Sequence, residues 1–443
     1  MTTPPRWQNW AGTVTAHPAR MLAPRDETEV ARVVRWAGRS GLAVRAVGAG
    51  HSFTPAAATS GVLLNLDALA ELEDVTALPG GGALVTVGAG MRLHALNRLL
   101  AELGLAMANL GDVDRQSIAG AVSTGTHGTG ARLGGLATQV TAVRLVGADG
   151  VVRTASAQRD PGLFEAARLG LGAVGVLTAL TLRTVPAFAL LAREEAHPLP
   201  DALAALDDWA EEHDHVDLYW FPGTATALVK RNDRVPAGSG PRLGRVRGWV
   251  EDELLANGVF EATNRLATTA PALVPRLNAF AAGALSDRTY AAPSHRVFVS
   301  PRRVRFTEME YAVPRAALPD VLAEVAAWLA RTGEPVPFPI EVRFAAADDV
   351  WLSTAHGRES AYVAVHQYHR MSPTRYFAAV ERIMAAAGGR PHWGKVHGLT
   401  AADLAPRYPR FADFLAVRAA ADPEGRFANG YTDRVFGPVT AAR

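Results

Sequence analysis

Strand and helix patterns alternate in the first third of the chain. Residues 20–24 predict a short strand, and the acidic run Asp26–Glu29 predicts a helix start, because acidic side chains are favourable in a first helical turn. Apolar residues then recur at helical spacing from Val30 to Ala37, and Gly41 follows where such a helix would end. Residues 42–47 predict the next strand, which leads directly into a glycine-rich turn.

The same alternation continues as far as Pro186. The predicted elements are a buried strand at 61–69, a strand at 82–90, an amphipathic helix at 91–103, a hairpin at 139–155 and a strand at 172–186. Asp149-Gly150 marks the hairpin turn, since this dipeptide tolerates the positive φ angles of a tight turn.

The pattern changes after about residue 188. Strand-like runs at 216–223 and 362–369 are separated by a helical run at 318–331, whereas residues 235–300 follow no clear period. A helix at 409–420 and a glycine- and asparagine-rich turn at 422–431 end the pattern. A chain of 443 residues exceeds one ordinary core, so more than one domain is expected.

The amino-acid composition argues against several kinds of site and partner. The chain has 45 basic and 43 acidic residues, so we expect no nucleic-acid partner and no membrane partner. It has no cysteine, which excludes disulfides, thiolate metal sites and cysteine nucleophiles. The 13 histidines show no HExxH spacing, so no metal is expected, and no GxSxG motif indicates a serine hydrolase. Without a visible signal or spanning segment, we expect a soluble, cytoplasmic protein.

The turn VGAGHSFTP, residues 47–55, carries a histidine at its tip. A glycine turn after a strand suits a pyrophosphate, but the dinucleotide fingerprint needs a third glycine where this chain has Phe53. His51 could therefore be a ligand, a base or an attachment point, or simply a histidine of a surface loop.

A segment of small residues follows at 109–135. Glycine, alanine, serine and threonine allow the backbone to lie close to something flat or extended, although tight packing of a core helix is the alternative.

The strand IEVRF, residues 340–344, places Glu341 and Arg343 on one face. A carboxylate and a guanidinium would then face a cavity together, or form an exposed ion pair. A second cluster, RPHWGKVHG at 390–398, contains Lys395, one of only two lysines in the chain. A compact ammonium suits a position that must approach an anionic ring or a hydroxyl, although a polar turn is the alternative.

Together and in this order, these motifs resemble those of the vanillyl-alcohol-oxidase (VAO) type flavoprotein superfamily. Within it, the chain resembles the sugar-lactone oxidases (L-gulonolactone and D-arabinono-1,4-lactone oxidases) and alditol oxidase, over nearly its whole length. The resemblance implies an α+β, two-domain fold with a VAO/PCMH-type FAD-binding domain at residues 1–187, completed by 396–443. Residues 188–395 would form an α+β cap, or substrate, domain built on an antiparallel sheet.

The resemblance also implies an FAD linked covalently through His51, with a single bond because no cysteine is present for a second. It assigns the cofactor to Ala46, Val47, Gly48, Ala49, Gly50, His51, Ser52, Gly111, Asp112, Ser117, Gly120, Thr124, Gly125, Thr126, His127, Val176, His392 and Lys395. It assigns the substrate to Asp112, Glu341, Arg343, His366 and Lys395, and catalysis to Glu341, Arg343 and Lys395, with His366 or His397 as the base.

The implied reaction oxidises a CH–OH group of a small polyhydroxylated substrate, with molecular oxygen reduced to hydrogen peroxide. Asp112 and His366 depart from the alditol-oxidase pattern, which favours an aldonolactone over an alditol or another sugar-like alcohol such as a nucleoside. Gly111 lies where the family tunes oxygen access, and glycine there favours oxygen over another electron acceptor. Two other hypotheses are a flavin-carrying binding or sensor protein without turnover, and a nicotinamide-dependent reductase built on residues 88–93.

Overall fold

The computed structural model describes residues 5–236, 238–241, 243–244, 257–300 and 302–439. Part of the stretch that the sequence pattern did not place, residues 245–256, lies outside the described residues.

The first part of the chain combines short strands with four α-helices among its described residues. Its strands are β1 (Trp7–Gln8), β2 (Thr15–Ala16), β3 (Arg20–Leu22), β4 (Val44–Val47), β5 (Val62–Asn65), β6 (Leu72–Ala77), β7 (Ala83–Gly88), β8 (Leu105–Ala106), β9 (Val140–Val146), β10 (Val152–Ser156) and β11 (Val176–Pro186). Its helices are α1 (Glu27–Arg39), α2 (Leu93–Glu102), α3 (Ile118–Ser123) and α4 (Pro161–Arg168).

Two sheets organise this part. The parallel sheet has the strand order β3-β5-β4, and the antiparallel sheet has the order β10-β9-β11-β7-β6, with β8 paired to β11. The helix α1 begins as predicted, since the side chain of Asp26 accepts a hydrogen bond from the Glu29 amide at 2.8 Å. Its buried face, including Val30 and Val34, packs into the core beneath the sheets.

The second part is built on one large antiparallel sheet. Its strands are β12 (Ala189–Pro198), β13 (His215–Trp220), β14 (Thr226–Val235), β15 (Arg288–Pro293), β16 (Phe306–Pro314), β17 (Ile340–Ala345), β18 (Ser360–Tyr368) and β19 (Arg390–Pro391). They lie in the order β15-β12-β14-β13-β17-β18-β16-β19. The later helices are α5 (Leu199–Glu212), α6 (Phe260–Thr269), α7 (Val274–Gly283), α8 (Ser294–Phe298), α9 (Leu318–Thr332), α10 (Thr374–Ala386), α11 (Ala401–Leu404), α12 (Phe411–Ala421) and α13 (Gly430–Phe436).

The two faces of this sheet differ sharply. One face carries apolar side chains such as Leu218, Val342 and Val363, which share a core with α5, α9 and α10. The opposite face carries the residues between them in sequence, among them Glu341 and Arg343, because successive side chains of a strand point to opposite faces. We call this opposite surface the polar face.

The end of the chain returns to the first part. Leu404, Phe414 and Phe436 belong to the same hydrophobic core as α1 and the N-terminal sheets. The guanidinium of the buried Arg45, on β4, donates hydrogen bonds to the carbonyls of Ala56, Leu171 and Phe427 at 2.5–2.6 Å. The domain boundaries at residues 187 and 395 stay a prediction.

Several elements differ from the sequence pattern. The strand β6, which the sequence pattern did not predict, is exposed along its whole length. Its residues therefore show no alternation between buried and exposed positions. The predicted turn at 422–431 ends in a helix, because Asn429 caps the amide of Thr432 and starts α13. Among the described residues, no helix is both long and apolar enough to cross a membrane.

Candidate active site

A cavity of about 1020 Å³ lies between the polar face and the loops of the first part. A narrower cleft of about 120 Å³ adjoins it, lined by the glycine turn after β4, by α3 and by residues 171–177. His51, Ser52, Gln116 and Thr124 line both spaces, so the cleft and the cavity meet at the tip of the glycine turn.

The glycine turn fits closely against the start of α3. A Cβ atom added to Gly48 would lie 2.0 Å from Ser117 Oγ, so only glycine allows this approach. Ser117 caps α3, and its hydroxyl accepts a hydrogen bond from the Gly120 amide at 3.3 Å. Gly50 has a φ of +70°, which turns the chain so that His51 reaches the junction of cleft and cavity.

His51 is held as a neutral imidazole. Burial lowers the pKa of His51 to about 4, and the positive charges of Arg92, Lys395 and Arg115 act in the same direction. Its ring lies beside Trp10, with the ring centroids 5.6 Å apart. A neutral imidazole keeps a nitrogen lone pair, which is the group that a covalent bond requires.

Glu341 and Arg343 project side by side into the cavity, as the strand pattern predicted. Arg343 Nη2 lies 2.5 Å from Glu341 Oε1 and 3.5 Å from Asp112 Oδ2, and its Nε donates a hydrogen bond to Asp217 at 3.0 Å. Burial opposes the charge of Arg343, but Glu341 and Asp112 outweigh it and hold its pKa well above the ordinary value. Burial raises the pKa of Asp217 to about 6, against the opposing effect of Arg343.

A second cluster combines Lys395, Glu308 and His366. The Lys395 ammonium donates a hydrogen bond to Glu308 Oε2, and His366 Nε2 lies 3.6 Å from Glu308 Oε1. Burial opposes the charge on Lys395, but Glu308 and Glu310 keep its pKa raised. The Nδ1 of His366 lies 3.1 Å from the carbonyl of Pro339. Donation from Nδ1 to this carbonyl leaves Nε2 as the ring nitrogen on the side of Glu308.

A third cluster contains His127, Glu310 and His392. His127 Nε2 lies 3.2 Å from Glu310 Oε1, and the His127 ring stacks on Tyr362 with centroids 3.6 Å apart. Burial lowers the pKa of His392 to about 3, and its Nδ1 accepts a hydrogen bond from the Gly394 amide at 3.0 Å. The donor atoms of the three side chains lie within 4.8 Å of one another, a separation that could also hold a metal ion. The absence of a metal therefore stays a prediction.

The structure brings most of the predicted site residues to these two spaces. The cleft is lined by Ala46, Val47, Gly48, Ala49, Gly50, His51, Ser52, Ser117, Gly120, Thr124 and Val176. The cavity is lined by Gly111, Asp112, Thr126, His127, Glu341, Arg343, His366, His392 and Lys395.

His397 and Gly125 are the two exceptions. The proposal of His397 as the base is wrong, because its ring is buried away from the cavity and its Nε2 lies 2.9 Å from the Tyr431 hydroxyl. Gly125 has a φ of +79°, and a Cβ atom there would meet Leu169 and Trp393 rather than the cavity. Gly125 therefore shapes the turn after α3, and its contact with the cofactor stays a prediction.

The nicotinamide hypothesis also fails on geometry. A Cβ atom added to Gly88 would lie 2.4 Å from the carbonyl oxygen of Leu69. A Cβ atom added to Gly90 would lie 1.8 Å from the carbonyl oxygen of Leu66. These glycines allow close backbone packing and leave no cradle for a pyrophosphate.

Glu308, Glu310 and Arg302 also line the cavity, although the sequence motifs did not predict them. Glu308 and Glu310 alternate with the buried apolar residues Met309 and Tyr311 along β16, so the period that revealed Glu341 and Arg343 was present here too. Arg302 lies in an irregular loop and pairs with Asp112, and no local pattern marks it.

Comparisons with known proteins identify the fold. A family model for an FAD-binding domain matches residues 18–156. The structure is similar to that of cholesterol oxidase from B. sterolicum, with a TM-score of 0.81 and 19% sequence identity, covering 98% of this chain and 97% of that chain. The protein therefore contains an FAD-binding domain and has the α+β VAO/PCMH-type fold, which confirms the predicted fold class.

The match over the later part of the chain is more specific. A family model described as D-arabinono-1,4-lactone oxidase matches residues 180–435. The chain is 42% identical to L-gulono-1,4-lactone dehydrogenase of Mycobacterium tuberculosis, over 98% of this chain and 100% of that protein. It is 32% identical to L-gulonolactone oxidase of Mus musculus, over 97% of this chain and 98% of that protein. The chain belongs to the D-arabinono-1,4-lactone oxidase family.

The buried His397 makes the free energy of unfolding depend on pH. Burial lowers the pKa of His397 to about 3, whereas an unfolded histidine titrates near pH 6.5. The unfolded chain therefore binds more protons between these values, so the free energy of unfolding decreases as the pH falls through this window and is unaffected by this group above it. In His397→Gln, which keeps a donor for Tyr431, the uptake of protons on unfolding at about pH 5 falls by about one.

Urea unfolding at a series of pH values, followed by tryptophan fluorescence, measures this slope. The exposed His17 provides the matched control, and His17→Gln leaves the slope unchanged. An equal slope in His397→Gln and the parent chain would mean that the His397 imidazole is already protonated in the folded state.

Proposed function

We propose that this protein oxidises a CH–OH group of an aldonolactone of the L-gulono- or D-arabinono-1,4-lactone type. The observation that carries the proposal is the cavity in which Arg343 and Lys395 come to face the glycine turn that holds His51. The names of the 42% and 32% identical relatives, a gulonolactone dehydrogenase and a gulonolactone oxidase, support the same substrate class.

The residues of the cleft fit an FAD. Gly48 packs on Ser117 without a side chain between them, which leaves the backbone amides of the turn available to a pyrophosphate. The cleft continues into the cavity at His51, so an extended dinucleotide could occupy both. When bound, FAD supplies the acceptor for the hydride that leaves the substrate carbon. His51 would hold it through one covalent bond from its neutral imidazole.

The side chains of the polar face suit the remaining chemistry. Nε2 of His366 accepts the proton of the substrate hydroxyl, and Glu308, 3.6 Å away, stabilises the imidazolium that forms. The charges of Lys395 and Arg343 stabilise the negative charge that develops on the substrate oxygen. The carboxylates of Asp112 and Glu341 accept hydrogen bonds from the other hydroxyl groups and so orient the ring.

We propose oxygen as the electron acceptor, with hydrogen peroxide as the product. Gly111 lines the cavity without a side chain, and a Cβ atom there would lie 3.1 Å from both Thr126 Cγ2 and the His127 carbonyl oxygen. Glycine therefore allows this close packing of the wall, and the name of the 32% identical relative, an oxidase, supports oxygen as the acceptor. The second candidate is a dehydrogenase that uses another acceptor, which the name of the 42% identical relative favours.

A substrate panel tests the proposal. Under anaerobic conditions, L-gulono-1,4-lactone or D-arabinono-1,4-lactone should bleach the yellow flavin absorbance faster than xylitol, sorbitol or a nucleoside. Admission of oxygen should restore the colour and release one peroxide for each lactone oxidised. Recovery with a redox dye but not with oxygen would assign a dehydrogenase, and the absence of bleaching with every compound would indicate a binding protein without turnover.

The variant His51→Ala tests the covalent bond. It removes the only group at the tip of the glycine turn that can form the bond, so the flavin should remain in solution when the protein is precipitated with trichloroacetic acid. The parent chain should give a fluorescent protein band on a denaturing gel, and His397→Gln should keep that band. A flavin that stays attached in His51→Ala would exclude His51 as the attachment point.

The variant His366→Gln tests the base. Loss of a general base slows the chemical step by about 10²- to 10⁴-fold, so anaerobic flavin reduction by the lactone should slow by this factor. His397→Gln should reduce the flavin at about the parent rate, since His397 contacts Tyr431 outside the cavity. Stopped-flow absorbance measures both rates, and a normal rate in His366→Gln would exclude His366 as the base.

A further inference from the structure

The charges that line the cavity are not distributed evenly. In its interior, each strongly basic side chain has an acidic partner: Lys395 pairs with Glu308, Arg343 with Glu341, and Arg302 with Asp112. Glu310 in turn lies against His127. The interior is therefore close to neutral, and it suits the uncharged ring of a lactone.

The outer wall of the cavity is different. Arg98, Arg115 and Arg296 line it with exposed side chains, together with His94 and His295. Among the described residues, the side chains of Arg98 and Arg296 have no hydrogen-bond or ion-pair partner. Asp114 is the acidic residue on this wall, and its Oδ1 lies 3.6 Å from Arg115 Nε.

These arginines come from three segments that contact one another. His94 and Arg98 are separated by one turn of α2, and the His94 amide donates a hydrogen bond to the Asp114 carbonyl at 2.9 Å. The loop after α8 joins the same wall, because the Ser300 amide donates to the Asp112 carbonyl at 3.1 Å. We call Arg98, Arg115 and Arg296 the arginine rim.

The field of the arginine rim reaches neighbouring groups. Burial lowers the pKa of His295, and the charge of Arg296 lowers it further, against the opposing effect of Asp114. Arg115 likewise contributes to the lowered pKa of His51, after burial, Arg92 and Lys395. The positive charges of Arg296 and Arg115 therefore act on histidines that line this cavity.

The cavity is continuous from its interior to the arginine rim. Lys395 and His366 line the same cavity as Arg98, Arg115 and Arg296. A substrate whose reacting carbon lies near Lys395 and His366 can therefore extend outward to the arginine rim.

We propose that the arginine rim is an anion subsite, and that the preferred substrate carries a phosphate or a carboxylate at the end remote from its reacting CH–OH group. The inference rests on the proposed function and names its substrate class more narrowly. Guanidinium groups bind phosphate and carboxylate through paired hydrogen bonds, and the neutral interior leaves the rim as the place where an anionic group is stabilised.

The experiment compares three lactones with the holoenzyme: a neutral aldono-1,4-lactone, the same lactone phosphorylated on its terminal hydroxyl, and the lactone with a terminal carboxylate. We expect kcat/KM to be about tenfold higher for at least one anionic lactone. Raising the salt concentration from about 0.01 M to about 0.15 M shortens the Debye length from about 30 Å to about 8 Å, so it should weaken only that preference. The anionic lactone with the larger increase in kcat/KM identifies the anionic group that the rim binds.

The variants Arg98→Gln, Arg115→Gln and Arg296→Gln should each raise KM for the anionic lactone, by up to about tenfold, and leave KM for the neutral lactone within about twofold. Arg39→Gln, at an exposed arginine in the last turn of α1, is the matched control. Equal kcat/KM for neutral and anionic lactones, or equal effects of the variants on both, would overturn the subsite. A lower flavin content in the variants would also overturn it, because the rim would then hold the cofactor.

A binding measurement separates this inference from the proposed function. Titration of the holoenzyme with the phosphorylated or carboxylated lactone, followed by the change in flavin absorbance, needs no turnover. Saturable binding that the rim variants weaken would support the subsite even if no lactone were oxidised, a result that would refute only the proposed function. Binding of equal strength in the parent chain and all three variants would overturn the subsite.

Discussion

The site depends on the mutual neutralisation of charges on one face of a sheet. An isolated carboxylate loses its hydration when it is buried, and the loss is tolerated only where a cation or several donors replace the water. The strand register brings two carboxylates close together, because Ala364 on β18 lies between Glu310 on β16 and Glu341 on β17. Two carboxylates therefore flank one small side chain. Both carboxylates need a partner that replaces their hydration. The side chains that pair with them come from different places, Arg343 from the same strand as Glu341 and His127 from the first part of the chain.

This distribution of charge links the two parts of the molecule. The segment between β19 and α11 runs between them, and its backbone is bonded on both sides. The Phe53 amide donates to the Gly394 carbonyl at 2.7 Å, whereas the amides of His392 and Val396 donate to the carbonyls of Glu310 and Glu308 at 2.9 Å. Lys395 lies within this bonded segment. The distance between the glycine turn and the polar face is therefore fixed by backbone hydrogen bonds, and both sets of reactive groups stay in register with each other.

Local patterns in the sequence predicted what depends on local geometry. The period of two in IEVRF was enough to place Glu341 and Arg343 on one face, and the glycines of GAGHSF were enough to predict a tight turn with His51 at its tip. The same reasoning would have found Glu308 and Glu310. It could not find the partnership of Arg302 with Asp112, since the two residues are 190 positions apart and only the folded chain brings them together. His397 shows the opposite failure. It lies two residues from Lys395, but the bent backbone from 393 to 395 breaks the strand period, and its ring packs on Tyr431 instead.

The two lysines of the chain occupy comparable places, each beside a buried glutamate. The remaining 43 of the 45 basic residues are arginines, whereas both lysines lie beside buried carboxylates of the large antiparallel sheet. Lys230 on β14 is paired in register with Glu194 on one side and Asp217 on the other, and its ammonium donates to the Val297 carbonyl at 2.9 Å. Lys395 bonds Glu308 beside the face of Phe53, 5.3 Å from the ring centroid. An ammonium needs one narrow opening and three acceptors, whereas a guanidinium is a wide planar fork with five donors. A guanidinium at either position would be larger and would bring five donors instead of three, which is a physical reason for lysine at these two positions of a chain that otherwise uses arginine.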